Sequence, residues 1–321
     1  MNAPDPIVTA SLYCDRALDD ALAAVVAPFR SALPEAWGLW FVRYSRGGEH
    51  LKLRLHGPAD QADAVRDQLG RAVTAFLETR APGADAAPRV SRPDAPAIDP
   101  EDEAQGERPD RALVWTQYRR SHVSLGPLPF LADDPYTARM TTALARGSDL
   151  ALEALCSGLP AEALASLQQR TLLKALIAGL GALRFSLDRC CSYLAYHRDW
   201  LVRFVSEDAR RGDEMRARFG QQAGRALVIR GQLSAIAAER WNTAEAPRGD
   251  SAEERFGASL AELIAHMEQF REIESVDPFT DDPAFPALFK AVHGLANQLG
   301  MTPVTEAFVH HLLLSAVERP A

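Results

Sequence analysis

The chain has 321 residues, 47% of them hydrophobic and 24% charged, with a net charge of -8; this is the balance of a globular protein large enough for two domains. The acidic total excludes a general attraction to nucleic acid or to an anionic membrane surface. No apolar run reaches the roughly 18 residues of a membrane span, and the opening Met-Asn-Ala-Pro-Asp-Pro lacks the basic and apolar regions of a secretory signal, so a cytoplasmic location is expected.

The first element is a β-branched, apolar strand over 7–14, followed by a helix capped by Asp15 with Leu18, Leu22, Val25, Val26 and Phe29 as its stripe. Pro34 breaks the chain before a hairpin. Trp37 to Tyr44 is its first strand, Gly47-Gly48 its turn, and His50 to His56 its second strand. That second strand alternates strictly: Leu51, Leu53 and Leu55 point one way, and His50, Lys52, Arg54 and His56 the other. A three-residue turn puts Tyr44, Val42 and Trp40 on the face of the basic groups; a different turn length puts Arg43 there. A second helix opens at Asp60 with Val65, Leu69, Val73, Phe76 and Leu77 as its stripe. Residues 81–110 are rich in proline and acidic side chains and read as a long mobile loop, either a passive insertion or a flap over a site. A fourth strand over 111–118 completes a β-α-β-β-α-β order. This predicts a ferredoxin-like antiparallel sheet with both helices on one face and the 50–56 strand in a central position.

The remainder is nearly all helical, with helices predicted over about 136–156, 162–179, 183–206, 214–241, 252–273, 285–299 and 303–316. The stretch 184–189 is either a kink or a boundary. The fold class is therefore α+β, with a sheet domain over 1–130 and a helical domain over 131–321. The 4 cysteines, Cys14, Cys156, Cys190 and Cys191, form no Cys-x-x-Cys pair and read as reduced packing thiols. No glycine-rich nucleotide loop or metal-binding spacing occurs, so neither a metal nor a cofactor is indicated.

Three groups of residues carry candidate chemistry. The basic face of the central strand is costly if dry and unpaired. It is solvated, paired with carboxylates, or the lining of a cleft for an anionic or peptide-like ligand. The segment Tyr118-Arg-Arg-Ser-His122-Val-Ser124 offers proton donors and acceptors at neutral pH. A helical stripe of Ser186, Arg189, Tyr193, Tyr196, His197 and Trp200 mixes polar and aromatic groups, and Tyr193 and His197 at i, i+4 are spaced to hydrogen-bond. His310-His311 reads as helical surface.

Arg43-Tyr44 followed by Gly48-x-His50-Leu-x-Leu-Arg54 resembles a signature of the lantibiotic-dehydratase carboxy-terminal domains, also called thiopeptide-type bacteriocin biosynthesis proteins. The specific match spans some twenty residues, and the ending Thr305-Glu-Ala-Phe-Val-His-His-Leu-Leu fits more loosely. The resemblance implies one of two activities. One is elimination of glutamate from glutamylated Ser or Thr. The other is the thiopeptide pyridine synthase reaction, a formal [4+2] aza-cycloaddition of two dehydroalanines that closes a macrocycle, loses water and expels a leader peptide.

Departures from the eliminating branch favour the second. Lys52 stands where that branch has an arginine. A Glu-x-x-Arg-Tyr-Gly-Gly segment is missing after Arg80, and Val309 to Val317 replaces its His-Met-x-x-Asn-Arg stretch. The expected catalytic groups are Tyr193, Tyr118, His122, Ser124, Ser186 and His197. The expected substrate-binding groups are Tyr44, His50, Lys52, Arg54, Arg189, Tyr196 and Trp200. The expected partners are the modified precursor peptide with its leader and other enzymes of the same pathway, with no nucleic acid and no membrane. A non-catalytic leader-binding module is the reading from a different class.

Overall fold

A computed structural model describes residues 7–14, 17–44, 50–79, 89–90, 111–116, 134–206, 217, 219, 251–270 and 280–317. The chain forms two compact units: 1–124 with 155–158, and 125–154 with 159–321.

The first unit is built on β1 (Ile7–Tyr13), β2 (Gly38–Tyr44), β3 (His50–His56), β4 (Arg89–Val90) and β5 (Ala112–Thr116), in the sheet order β2-β3-β1-β5-β4. The pairings of β3 with β1 and β2, and of β1 with β5, are antiparallel. This is the ferredoxin-like arrangement, and β3 is a central strand. The two-residue β4 pairs parallel with β5. It falls in the stretch read as loop, because no periodicity announces so short a strand; the rest of 81–110 lies outside the described residues.

The first helix, α1, runs through Leu18–Ala21, a π-helical turn at Leu22–Val26, and Ala27–Ala32. Asp15, read as its cap, lies outside the described residues. The second helix, α2, is Ala62–Thr79. The stripes are buried apart from the half-buried Leu18, with Leu22, Val25, Val26, Phe29, Val65, Leu69, Val73, Phe76 and Leu77 joining the fully buried Leu51, Leu53 and Leu55 in the core.

The hairpin register pairs Tyr44 with His50, Val42 with Lys52 and Trp40 with Arg54. Trp40, Val42 and Tyr44 therefore share the face of the basic groups. Arg43 falls on the other face, where its guanidinium pairs with Asp19 of α1 at 2.6 Å. Gly38 faces His56 across the pair, and the His56 ring occupies the space a Cβ at position 38 would need. A side chain there would push the ring away.

The described helices of the second half are α3 (Asp134–Leu155), α4 (Ala161–Ala182), α5 (Leu187–Ser206), α6 (Ala252–Met267), α7 (Ala284–Gln298) and α8 (Pro303–Val317). The predicted helix over 214–241 lies outside the described residues, apart from helical positions 217 and 219. The 184–189 stretch is a boundary: Arg184 takes a left-handed φ of 52°, which a helix interior cannot hold. Ser251 and Glu254 form a capping box that starts α6. At Gly257, a Cβ would lie 3.0 Å from the Ala178 carbonyl, so glycine lets α6 cross close to α4. Helix α5 packs along α8, with Leu201 and Ala307 fully buried between them. No helix among the described residues is long and apolar enough to cross a membrane.

Candidate active site

The centre of the helical unit is a chain of hydrogen bonds between three helices. On α5, the i, i+4 spacing places the Tyr193 hydroxyl 2.8 Å from His197 Nδ1. His197 Nε2 lies 2.7 Å from Oε1 of Glu306 on α8. The second oxygen of Glu306 lies 2.8 Å from Nδ1 of His293 on α7. His310, one turn beyond Glu306, donates from Nδ1 to the Glu306 carbonyl at 3.0 Å, and its ring lies 3.8 Å from that of His197, centroid to centroid. Tyr193, His197 and His310 are fully buried and Glu306 nearly so, whereas His293 exposes 39% of its side chain.

Proton positions follow from chemistry. Burial alone would raise the Glu306 carboxyl, but the charge of His293 and the bonds from both imidazoles outweigh it and hold the group well below the usual carboxylate range. Glu306 is therefore an anion that only accepts, and His197 must carry its proton on Nε2. Burial lowers His197 against the pull of Glu306, so the ring is neutral and Nδ1 is a lone pair. Tyr193 then donates to Nδ1, and burial drives its own ionisation well above the ordinary phenol.

His293 goes the other way. Burial lowers it, but Glu306's charge and hydrogen bond together raise it above the ordinary histidine value. Burial pushes His310 down to about 3, so it is neutral. Its Nε2 meets no hydrogen-bond partner among the described residues. The arrangement is a hydroxyl–imidazole–carboxylate chain of hydrogen bonds, the geometry that a proton transfer along it would need. Despite three histidines and a glutamate in one place, no group of three or more His, Cys, Asp or Glu among the described residues is placed to hold a metal ion.

The rest of the α5 stripe is placed differently. Ser186 is exposed and accepts from the Arg189 amide at 3.2 Å, which makes it a cap for α5. Arg189 is committed to carboxylates: Nε and Nη2 reach Asp282 at 2.7 and 2.9 Å, Nη2 also reaches Glu268 at 2.6 Å, and the guanidinium lies 3.8 Å over the Phe185 ring. Tyr196 packs on Phe285 and Phe289, and Trp200 on Phe289 at 4.4 Å.

Reading His310 as surface is corrected by its complete burial. Helix α8 is apolar nearly all round, so it has no stripe from which a buried side could be read. His293 and Glu306 were also missed as site residues. The available clue was an acidic side chain one turn before a histidine in an otherwise apolar helix.

In the sheet unit, strand register assembles a second polar face. Tyr13, Ser11 and Thr9 of β1 lie opposite His50, Lys52 and Arg54 of β3, which lie opposite Tyr44, Val42 and Trp40 of β2. His50 and Arg54 are buried, so the solvated alternative is excluded for them. Aromatic rings meet these groups. The His50 ring is 4.6 Å from Tyr13 and 5.3 Å from Tyr44, Lys52 is 4.4 Å over Tyr44, and Arg54 is 4.5 Å over Trp40. The Ser11 hydroxyl and the Trp40 indole N–H are buried on this face and meet no partner among the described residues. Tyr118, His122 and Ser124 lie outside the described residues.

The fold is thus a ferredoxin-like sheet followed by a helical bundle that encloses a Tyr–His–Glu relay. The family described as lantibiotic biosynthesis dehydratase C-term matches residues 8–317, and the chain belongs to that family. Among solved structures, the chain is similar to "Pyridine synthase, TbtD, from thiomuracin biosynthesis", with a TM-score of 0.62 and 16% identity over 97% of each chain. It is also similar to TsrL, with a TM-score of 0.56 and 13% identity over 99% of this chain and 100% of that one. At such identities the likeness concerns the fold. No curated protein matches the chain.

Proposed function

We propose that the chain is a thiopeptide pyridine synthase, which joins two dehydroalanines of a leader-bearing peptide by a formal [4+2] aza-cycloaddition. The observation that carries this reading is the relay from Tyr193 through His197 to Glu306. To become an aza-diene, the peptide amide must lose its N–H proton and gain one on its oxygen. A phenol can take the amide proton while passing its own to the imidazole, and the carboxylate steadies the imidazolium that results. Once protonated, the phenol oxygen can return a proton to the amide oxygen. The new ring then loses water and expels the leader as an amide to become aromatic. Holding the two dehydroalanines together supplies a further large part of the rate.

The phenol is sealed from solvent, so the reading requires the substrate amide to displace a neighbour such as Phe285, whose ring lies 5.6 Å from that of Tyr193. The buried basic and aromatic face of β3 suits peptide carbonyls or acidic side chains of a leader. Tyr118, His122 and Ser124 remain further candidates for proton transfer.

The test is to mix the purified chain with a leader-bearing core peptide containing two dehydroalanines. Release of leader together with a macrocycle of matching mass supports the proposal. Binding without turnover favours a leader-binding module. Turnover only of a glutamylated peptide favours the eliminating lyase.

A further inference from the structure

We infer that Glu306 positions His197 to receive the Tyr193 proton, and that His293, on the other oxygen of the same carboxylate, sets by its own protonation how strongly His197 holds that proton. The functional consequence rests on the proposed reading above; the coupling itself does not.

The geometry is one anion between two imidazoles. Glu306 bonds His197 at 2.7 Å through one oxygen and His293 at 2.8 Å through the other. Three short contacts in series lead from a phenol with no exposure to a ring exposing 39% of its side chain. A single negative charge cannot fully compensate two imidazolium ions in a buried site. A proton on His293 therefore weakens His197 as a base, and its loss to solvent through the other ring nitrogen strengthens it. His293 Nδ1–H remains on Glu306 throughout, so the alignment of His197 survives both states.

Among the described residues, four other side chains bear on this pair. His310 lies against His197 but is held neutral, because burial and the nearby His197 oppose its charge more than its bond to the Glu306 carbonyl favours it. Lys290, on the same helix as His293, disfavours the His293 proton without cancelling the pull of Glu306. Phe289 packs between the rings, tilted against His197 at 4.4 Å and stacked on His293 at 5.4 Å, centroid to centroid, and adds no charge. Tyr193 is neutral at the far end. Of the two rings that share Glu306, the outer one is thus the one that favours the proton, and the inner one is neutral and open to accept.

The test uses the full chain labelled with 15N-histidine and follows the ring nitrogens by long-range 1H–15N spectra from about pH 5 to 9. In the unaltered protein His197 is the neutral Nε2–H tautomer at neutral pH and takes up a proton only below the ordinary histidine value, and His293 titrates above that value. Glu306→Gln should lower the His293 midpoint by at least about one pH unit, tenfold in proton affinity, and release the fixed His197 tautomer. Should that variant not fold, His293→Asn at the half-exposed position should raise the His197 midpoint by about half a unit or more. An unchanged His293 midpoint in Glu306→Gln, or an unchanged His197 midpoint in His293→Asn, overturns the inference. If these shifts occur but no peptide is turned over, the coupling stands and only the synthase reading falls.

Discussion

His310→Phe separates the physics of the buried cluster from its proposed chemistry. The imidazole is fully buried, donates Nδ1–H to the Glu306 carbonyl and presents an Nε2 with no partner among the described residues. Phenylalanine removes a hydrogen bond worth about 1 kcal/mol and an unsatisfied atom costing about 1–3 kcal/mol. It also adds bulk at a cost of about 1–3 kcal/mol. At pH 7.5 these nearly cancel, and the variant should be within about 1 kcal/mol of the parent.

The pH dependence is the sharper reading. Burial holds His310 at about 3 in the folded chain, below the ordinary 6.5. The unfolded chain therefore binds the proton first as pH falls. Stability is lost from about pH 6.5 downward, at up to about 1.4 kcal/mol per unit for this one group. Between pH 6.5 and 4.5 the parent should lose at most roughly 3 kcal/mol more than the variant. Urea unfolding followed by far-ultraviolet circular dichroism, which reports chiefly on the helices, gives the two curves. Parallel curves between pH 7 and 5 would refute the assignment of His310 as a buried neutral imidazole.

Three other substitutions probe the remaining links. Tyr193→Phe should lower turnover of the bis-dehydroalanine peptide by about 10² or more while leaving leader affinity intact; a change under about twofold, less than 1 kcal/mol of barrier, removes Tyr193 from proton transfer. Arg189→Met deprives Asp282 and Glu268 of their shared partner and should cost about 1.5–3 kcal/mol in urea unfolding, with little dependence on salt; a loss below about 0.5 kcal/mol would make the trio a solvated surface cluster. Gly38→Ala places a methyl where the His56 ring lies and should cost about 1–3 kcal/mol. Most of that cost should disappear in the His56→Ala background, and an undiminished cost would mean that backbone conformation rather than the close ring is the cause.

Much of the fold was legible because its signals are local. The alternation of His50 to His56 fixed a strand with two unlike faces, and the β-α-β-β-α-β order then required that strand to be central. The capping and proline breaks placed most helix ends within a few residues. The candidate site was legible only along one element at a time. Tyr193 and His197 were joined by helical spacing, since four residues make one turn. Ser186 and Arg189 share that spacing, yet one caps the helix and the other is taken up by Asp282 and Glu268, 93 and 79 positions away.

What the sequence alone determined is the class of the fold, the two faces of β3 and the Tyr193–His197 contact, because each depends on the periodicity of a strand or a helix. Tertiary structure decided which of those groups has a chain of hydrogen-bonded side chains behind it. His293, Glu306 and His310 come from two further helices, Glu306 lies 109 positions from His197, and nothing in the periodicity of α8 distinguishes its buried side. Only packing α5 against α8 and α7 removes Glu306, His310 and His197 from water while leaving His293 half-exposed at the edge. That removal makes one carboxylate strong enough to order two imidazoles and leave the inner one a neutral base.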